Sequence, residues 1–304
     1  MSSWVYVADG DQLTPVHYNG GINLGFDILK DLGICRAWAI ETILEGNMSD
    51  CLFHYHDHYC RLVQSAKIVR IPFRVSLDAL RRAVELRLRE SRTLESLLLI
   101  RLSRGLTDDT VNPTDYFSNR SLVSISVYPG QRQSTSIRLE TREYEREFAG
   151  VKHTNYLFAM LEYKDLSKKG ISDILYLRRK TREVLECARK NVGIFLDGER
   201  LLFPPSDSVL PGITQKIVAK LARSDGIRAG VSADGFPISY DQLLKAHSVI
   251  AMSTTAVVPV EEIDGIKIPI SNEVLRLCES FKEYREEYYR TNGTNAIRIE
   301  HDQD

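Results

Sequence analysis

The chain has 304 residues, 27% of them charged and 43% hydrophobic, with a formal net charge of −1. That is enough chain for one large or two medium domains with a proper core, and the near-neutral balance argues against nucleic acid or an acidic membrane surface as the main partner. No apolar run approaches the roughly 20 residues of a membrane helix, and Met1 to Gly10 lacks the basic start of a signal peptide.

Five cysteines (Cys35, Cys51, Cys60, Cys187, Cys278) are odd in number and scattered, without a C-x-x-C pair. They suit a reducing compartment rather than a disulfide framework or a structural zinc site. The expectation is a cytoplasmic protein.

In chain order, a helix is expected to begin near Tyr55, with Leu62, Val63, Ala66 and Val69 as its apolar residues. Ser76 caps a second helix, whose stripe Leu77, Leu80, Val84 and Leu88 recurs at three- and four-residue spacing. Leu97 to Leu102 and Leu122 to Val127 are short apolar blocks closed by Arg104-Gly105 and Pro129-Gly130, and they read as buried strands. Thr107 to Asn119, between them, is polar and proline-bearing and reads as a loop. Gln131 to Ser136 has no apolar face and reads as a linker, separating an N-terminal domain (1–130) from a C-terminal domain (137–290).

The second half alternates. A helix over Tyr156 to Lys169 ends at Gly170, and strands follow at Asp173 to Leu177, Glu183 to Glu186 and Val192 to Leu196. Asp197-Gly198 is a hairpin signal. Helices are expected at Thr214 to Ala222, Tyr240 to Ala246 and Asn272 to about Tyr289, and strands at Ile227 to Val231, Ser248 to Met252 and Val257 to Val260. The polar tail (291–304) carries no pattern. Helices mixed with hairpin-joined strands indicate α+β in both halves, not a doubly wound parallel sheet.

Among residues that can carry chemistry, Lys152 lies at the start of a helix-like run, with Phe148 to Val151 before it and Asn155 to Met160 after it to supply burial. A desolvated lysine is the usual Schiff-base nucleophile, although most lysines are solvated surface residues. Glu186 reads, taken alone, as a strand-edge glutamate paired with Arg179, Arg182 or Arg189. In Leu210-Pro211-Gly212-Ile213-Thr214, the backbone N–H groups of Ile213 and Thr214 open a helix and the Thr214 hydroxyl adds a donor, which makes an anion site; the plainer reading is Thr214 as the helix cap. Ser253-Thr254-Thr255 adds hydroxyls after a strand, and Arg61 offers a guanidinium suited to phosphate, or stands as an ordinary exposed helix arginine. Arg178-Arg179-Lys180 reads as a solvated turn. His54, His56 and His58 alternate, which suits neither one helix face nor a zinc spacing, and no metal set is expected. A lysine, a carboxylate and a helix N-terminus in this order are the parts a pyridoxal phosphate enzyme uses.

With those segments in view, the chain resembles the class IV (fold type IV) pyridoxal phosphate-dependent aminotransferases, a family that includes branched-chain and D-amino-acid aminotransferases and aminodeoxychorismate lyases. Ala39-Ile40-Glu41-Thr42-Ile43 is similar to the family's F-E-T strand, and His58-Tyr59-Cys60-Arg61-Leu62 followed by Ser65-Ala66 to its H-x-x-R-L-x-x-S-A helix. Arg101 and Arg104-Gly105 resemble the strand ending in R-G, and Lys152 through Asn155-Tyr156-Leu157 resembles K-x-x-N-Y-L. Glu186 through Asn191-Val192 resembles E-G-S-x-S-N-x, Gly212-Ile213-Thr214 matches G-I-T, and Ser253-Thr254-Thr255 with Pro259-Val260 and Asp264-Gly265 matches the closing S-T-T…P-V…D-G.

The resemblance implies two α/β domains with pyridoxal 5'-phosphate in the cleft between them, a homodimer, and transamination between an amino acid or amine and a 2-oxo acid through a Lys152 aldimine. It implies that Glu186 faces the pyridine nitrogen, that Arg61, Ile213, Thr214 and Thr254 hold the phosphate, and that Tyr156 hydrogen-bonds the phenolic oxygen. A lyase of the aminodeoxychorismate type, or a family member without turnover that acts as a binding protein, are the alternatives. Several positions depart from the family: Arg36-Ala37-Trp38 replaces G-D-G, Ala256 a glutamate, Gln215 an arginine and Leu99 a tyrosine, and Leu106 to Pro113 lacks an Arg-x-His pair.

Overall fold

The computed structural model describes residues 2–15, 39–47, 51–91, 95–104, 121–130, 134–231 and 237–292. Arg36-Ala37-Trp38, Gly105, the loop after it, the first half of the expected linker and most of the polar tail lie outside the described residues. The chain divides into two compact units: 1–131 with 151–155 and 288–304, and 132–150 with 156–287.

In the first unit, β1 (Ser2–Asp9), β2 (Gln12–Pro15), β3 (Ala39–Asn47), β4 (Glu95–Arg104) and β5 (Ser121–Pro129) form one antiparallel sheet in the order β2-β1-β5-β4-β3. Period-two alternation aims Leu98, Ile100 and Leu102 of β4 inward with Ile40 and Leu44 of β3, and all five are fully buried. Helices α1 (Tyr55–Ile68) and α2 (Leu77–Ser91) contribute Leu62 and Ala66, and Leu80, Val84 and Leu88, to that same core. Ser76 accepts a hydrogen bond from the Ala79 N–H (3.3 Å), so the expected cap of α2 is made.

The second unit is built on a nine-stranded mixed sheet of β6 (Ile137–Glu143), β7 (Asp173–Leu177), β8 (Val184–Cys187), β9 (Asn191–Asp197), β10 (Arg200–Phe203), β11 (Arg228–Val231), β12 (Ser248–Met252), β13 (Val257–Ile263) and β14 (Ile266–Lys267). The order is β11-β10-β9-β12-β13-β6-β7-β8, with β14 on β13. The pairs β10–β11, β13–β6 and β6–β7 run parallel, and β9–β10, β9–β12, β12–β13, β13–β14 and β7–β8 run antiparallel, a mixture that fits α+β.

β7 is buried on both faces: Leu175 and Leu177 join one core, Ile174 and Tyr176 another that includes Ala159 and Leu166 of α3 (Leu157–Leu166). A 3-10 turn over Ser167–Lys169 ends at Gly170, whose φ of 73° belongs to the left-handed region. Helices α4 (Ile213–Ser224), α5 (Tyr240–Leu244) and α6 (Asn272–Asn292) follow where the sequence places them. At the Asp197-Gly198 hairpin, Asp197 Oδ1 accepts from the N–H groups of Glu199 (3.0 Å) and Arg200 (2.8 Å), which closes the turn before β10.

Three departures have physical reasons. The strand expected at Glu183 to Glu186 lies at Val184–Cys187, because Glu183 bridges to Ser239 and its carbonyl accepts from the Arg178 N–H (2.8 Å), closing the turn before the strand. β6 has no counterpart in the sequence reading, since only Ile137 and Leu139 of its seven residues are buried, among charged neighbours. β1 and β2 also escape that reading, being short or interrupted by polar residues. No helix among the described residues is long and apolar enough to cross a membrane.

Leu80 has no solvent exposure in the first core. Leu80→Ala is expected to cost about 2–5 kcal/mol of unfolding free energy, through lost burial and the cavity left behind, read by urea denaturation.

Candidate active site

In the first unit, a short extended segment carries Lys152. Val151 is buried in the core, and the Lys152 carbonyl accepts from the Glu41 N–H (2.8 Å) while the Thr154 N–H donates to the Ala39 carbonyl (3.0 Å). Ile40 and His153 form an antiparallel bridge. Residues 152–154 thus extend the sheet beyond β3, the strand at its edge. The pairing puts Lys152, 13% exposed at its side chain, with its Nζ 3.5 Å from Glu41 Oε1.

Glu41 is itself buried and lies opposite Arg101 in the β3–β4 register, with Arg101 Nε 3.6 Å from its other oxygen. Beside it, Thr42 Oγ1 lies 2.8 Å from Nδ1 of the buried His58 and accepts from Arg61 Nη2 at 3.4 Å. Arg61 is therefore not an ordinary exposed helix arginine: it is half-buried and linked through Thr42 to His58. Burial, together with the positive charges of Arg61, His54 and Lys152, holds His58 well below its ordinary pKa of 6.5.

In the second unit, Glu186 stands near the end of β8 as a buried carboxylate. Its partner is Arg146, at 2.9 Å, and not Arg179, Arg182 or Arg189. Arg189 faces Asp173 (3.7 Å), Arg182 faces Glu143 (3.9 Å) and stacks over the Tyr240 ring, and Arg179 uses its backbone N–H on Glu145. Asn191 Nδ2 donates to Glu186 Oε2 (3.1 Å), and the Leu210 N–H donates to both carboxylate oxygens at 3.2 Å. Sequence reasoning misses Arg146, Asn191 and Leu210 as contributors. Arg146 sits in a run of charged residues with no periodicity; the one available signal is that a buried acid requires a cation from somewhere.

Gly212 occupies the cap position of α4, with Ile213 and Thr214 as its first two helical residues, both buried. Thr214 is therefore not the cap. The Lys216 N–H reaches back to donate to the Gly212 carbonyl (3.1 Å), and the helix has no acidic residue in its first turn. The amides of Ile213 and Thr214 precede that bond, which is the arrangement that attracts an anion.

Thr254 lies in the turn between β12 and β13, where the Ser253 N–H donates to the Ala256 carbonyl (2.8 Å). Met252 of β12 lies opposite Asn191 of β9, so this turn and the Glu186 partner share one end of the sheet. Tyr156 is half-buried in the position before α3. Of the candidate residues, Arg61 and Lys152 both bear on His58 in the first unit, while Glu186, Ile213 and Thr214 are linked through Leu210 and Asn191 in the second. Leu99, Ala256 and Gln215, the departures that fall among the described residues, lie on β4, after the Ser253 turn and in the first turn of α4.

A family model for amino-transferase class IV matches residues 38–263. The chain belongs to the class IV aminotransferase family. The match bears out the resemblance seen in the sequence, and with it the reading of the chain as an aminotransferase of that class. The chain is 26% identical to the D-alanine aminotransferase of Listeria monocytogenes over 226 residues, covering 71% of this chain and 75% of that protein. It is likewise 26% identical to the branched-chain-amino-acid aminotransferase of Escherichia coli K12 over 235 residues, covering 74% of each. Among solved structures, the branched-chain aminotransferase of the archaeon Thermoproteus uzoniensis, with norvaline, superposes with a TM-score of 0.74 at 19% identity, covering 95% of this chain and 98% of that one. At that identity the likeness concerns the fold, which is fold type IV.

Burial of His58 sets a pH dependence of folding. Well above 6.5 the imidazole is neutral in both states; below it the unfolded chain binds a proton that the folded one resists, so stability declines as the pH falls. In His58→Asn, this part of the decline is expected to vanish, flattening the stability-against-pH curve below 6.5 in urea titrations.

Proposed function

We propose that the protein is a pyridoxal phosphate-dependent transaminase that moves an amino group between an amino acid or amine and a 2-oxo acid. The observation that carries this reading is Lys152: a lysine largely withdrawn from water, fixed by its own backbone on a strand edge, with a carboxylate 3.5 Å from its amine. Few lysines are held that way for packing alone.

The residues present fit the cofactor. A buried carboxylate held by a guanidinium and two N–H donors is a fixed group that would face the ring nitrogen and favour a proton there. In the second unit the α4 amides of Ile213 and Thr214, with the Thr214 and Thr254 hydroxyls, would take the phosphate, and the family resemblance assigns Arg61 the same role. Tyr156 would hold the phenolic oxygen. When bound, the cofactor supplies an electron sink for the carbon that carries the amino group.

Lys152 would hold the cofactor through its amine and, as a free amine, would serve as the base that takes the proton from the substrate carbon and the acid that returns it at the neighbouring position. Glu41 lies close enough to receive a hydrogen bond from the lysine while it is charged, in competition with Arg101.

We read the chain further as a cytoplasmic homodimer. Cys51, Cys60, Cys187 and Cys278 are thiols, in keeping with a reducing compartment. On α3, Leu157, Met160 and Leu161 stand at i, i+3 and i+4 and are 68%, 63% and 67% exposed, an apolar face that a second copy would cover.

Protein reconstituted with pyridoxal phosphate should show a visible absorption band that Lys152→Ala abolishes while the melt stays cooperative; a wild type with no band contradicts the reading. A donor panel with and without a 2-oxo acid then separates transaminase from lyase, since pyruvate release without an acceptor reassigns the reaction. Leu161→Glu should convert a dimer to a monomer in sedimentation velocity, and a wild type already monomeric contradicts the dimer.

A further inference from the structure

Glu186 and the start of α4 are separated by the whole of β9 and β10, yet one side chain joins them. Asn191, the first residue of β9, donates from Nδ2 both to Glu186 Oε2 (3.1 Å) and to the Leu210 carbonyl (3.0 Å). A side-chain amide has two N–H donors, and both are used here. Leu210 answers with its own N–H on the Glu186 oxygens, so the carboxylate, the amide and the turn before α4 form a closed ring of hydrogen bonds.

Gly212 closes against the same side chain. A Cβ built at Gly212 would lie 2.0 Å from Asn191 Oδ1 and 2.9 Å from its Cγ. The backbone there, with φ −70° and ψ 131°, is open to any residue. Glycine is therefore required by the approach of Asn191, not by the backbone conformation. The fit is tight on both sides: the amide fills the space that a side chain at Gly212 would take, and its two donors hold groups on either side of that space.

We propose that Asn191 is a positioning residue that locks Glu186 and the first turn of α4 into one register, so that the ring-nitrogen and phosphate contacts of the cofactor are set together. The proposal rests on the functional reading above. Asn191→Leu puts an apolar side chain of similar size in place and removes both donors. Asn191→Ala also empties the space beside Gly212.

Two experiments decide it. In Asn191→Leu and Asn191→Ala that retain cooperative melts, pyridoxal phosphate should bind roughly tenfold or more weakly, the scale of losing a buried hydrogen bond to a charged group, and the pH midpoint of the visible band should move. Unchanged affinity together with an unchanged midpoint overturns the proposal, because a side chain that only supports the fold would alter the melt alone.

The second experiment needs no cofactor. Gly212→Ala should lower the melting temperature of the wild type, and by less than half as much in the Asn191→Ala background, where the clashing amide is gone. Equal losses in both backgrounds overturn the proposed contact. A wild type that shows no visible band sinks the functional reading, and this cycle then decides by itself whether Asn191 holds the α4 turn.

Discussion

Strand-edge pairing of residues 152–154 with β3 is the constraint on which the proposed chemistry depends. Two backbone hydrogen bonds, from Glu41 to the Lys152 carbonyl and from Thr154 to the Ala39 carbonyl, fix where the lysine leaves the main chain, and Val151 anchors the segment in the core. Side chains alternate along an extended chain, so a slip of one residue would send Lys152 to the other face and bring His153 to Glu41. The long, flexible lysine side chain is thus started from a rigid point. The β3–β4 register then sets Arg101 against Glu41, so the carboxylate nearest the amine is shared between two cations.

A comparable constraint governs Glu186. An ionised carboxylate out of water is costly unless charge and hydrogen bonds meet it. Arg146, Asn191 and the Leu210 amide meet it from three separate stretches of chain. Two of these donors are also committed elsewhere: Arg146 donates to the Ala149 carbonyl (2.6 Å) and Asn191 to the Leu210 carbonyl, so the carboxylate is held by groups that are themselves held. The role proposed for Glu186 requires a carboxylate that does not drift, and these contacts hold it in place.

How much of this is legible in the sequence follows from the range of the interactions. The stripe Leu80, Val84 and Leu88, the strand Asp173 to Leu177 and the Ser76 cap are local patterns, and each lies in the structure where the pattern places it. Lys152, Glu186 and the Gly212 turn stand out through residue type and order. Arg146 does not, since it has no periodic or spacing signal; Asn191 stands out only as the asparagine of the E-G-S-x-S-N-like segment, with nothing there to mark it as a partner of the buried carboxylate. Thr214 reads as a cap because a hydroxyl near a helix start usually is one; the close approach of Asn191 instead demands glycine at the cap position before it. β6 is hidden by its charged residues, which serve ion pairs such as Arg138 with Glu262 and Arg142 with Glu162.

The central claim is that Lys152, among all the lysines of the chain, is the one that holds the cofactor. Borohydride reduction of protein reconstituted with pyridoxal phosphate, followed by peptide mapping in a mass spectrometer, tests it most directly. The account predicts a pyridoxyl label on the peptide carrying Lys152 at near one per chain. A label spread over other lysines, or none on Lys152, would contradict it.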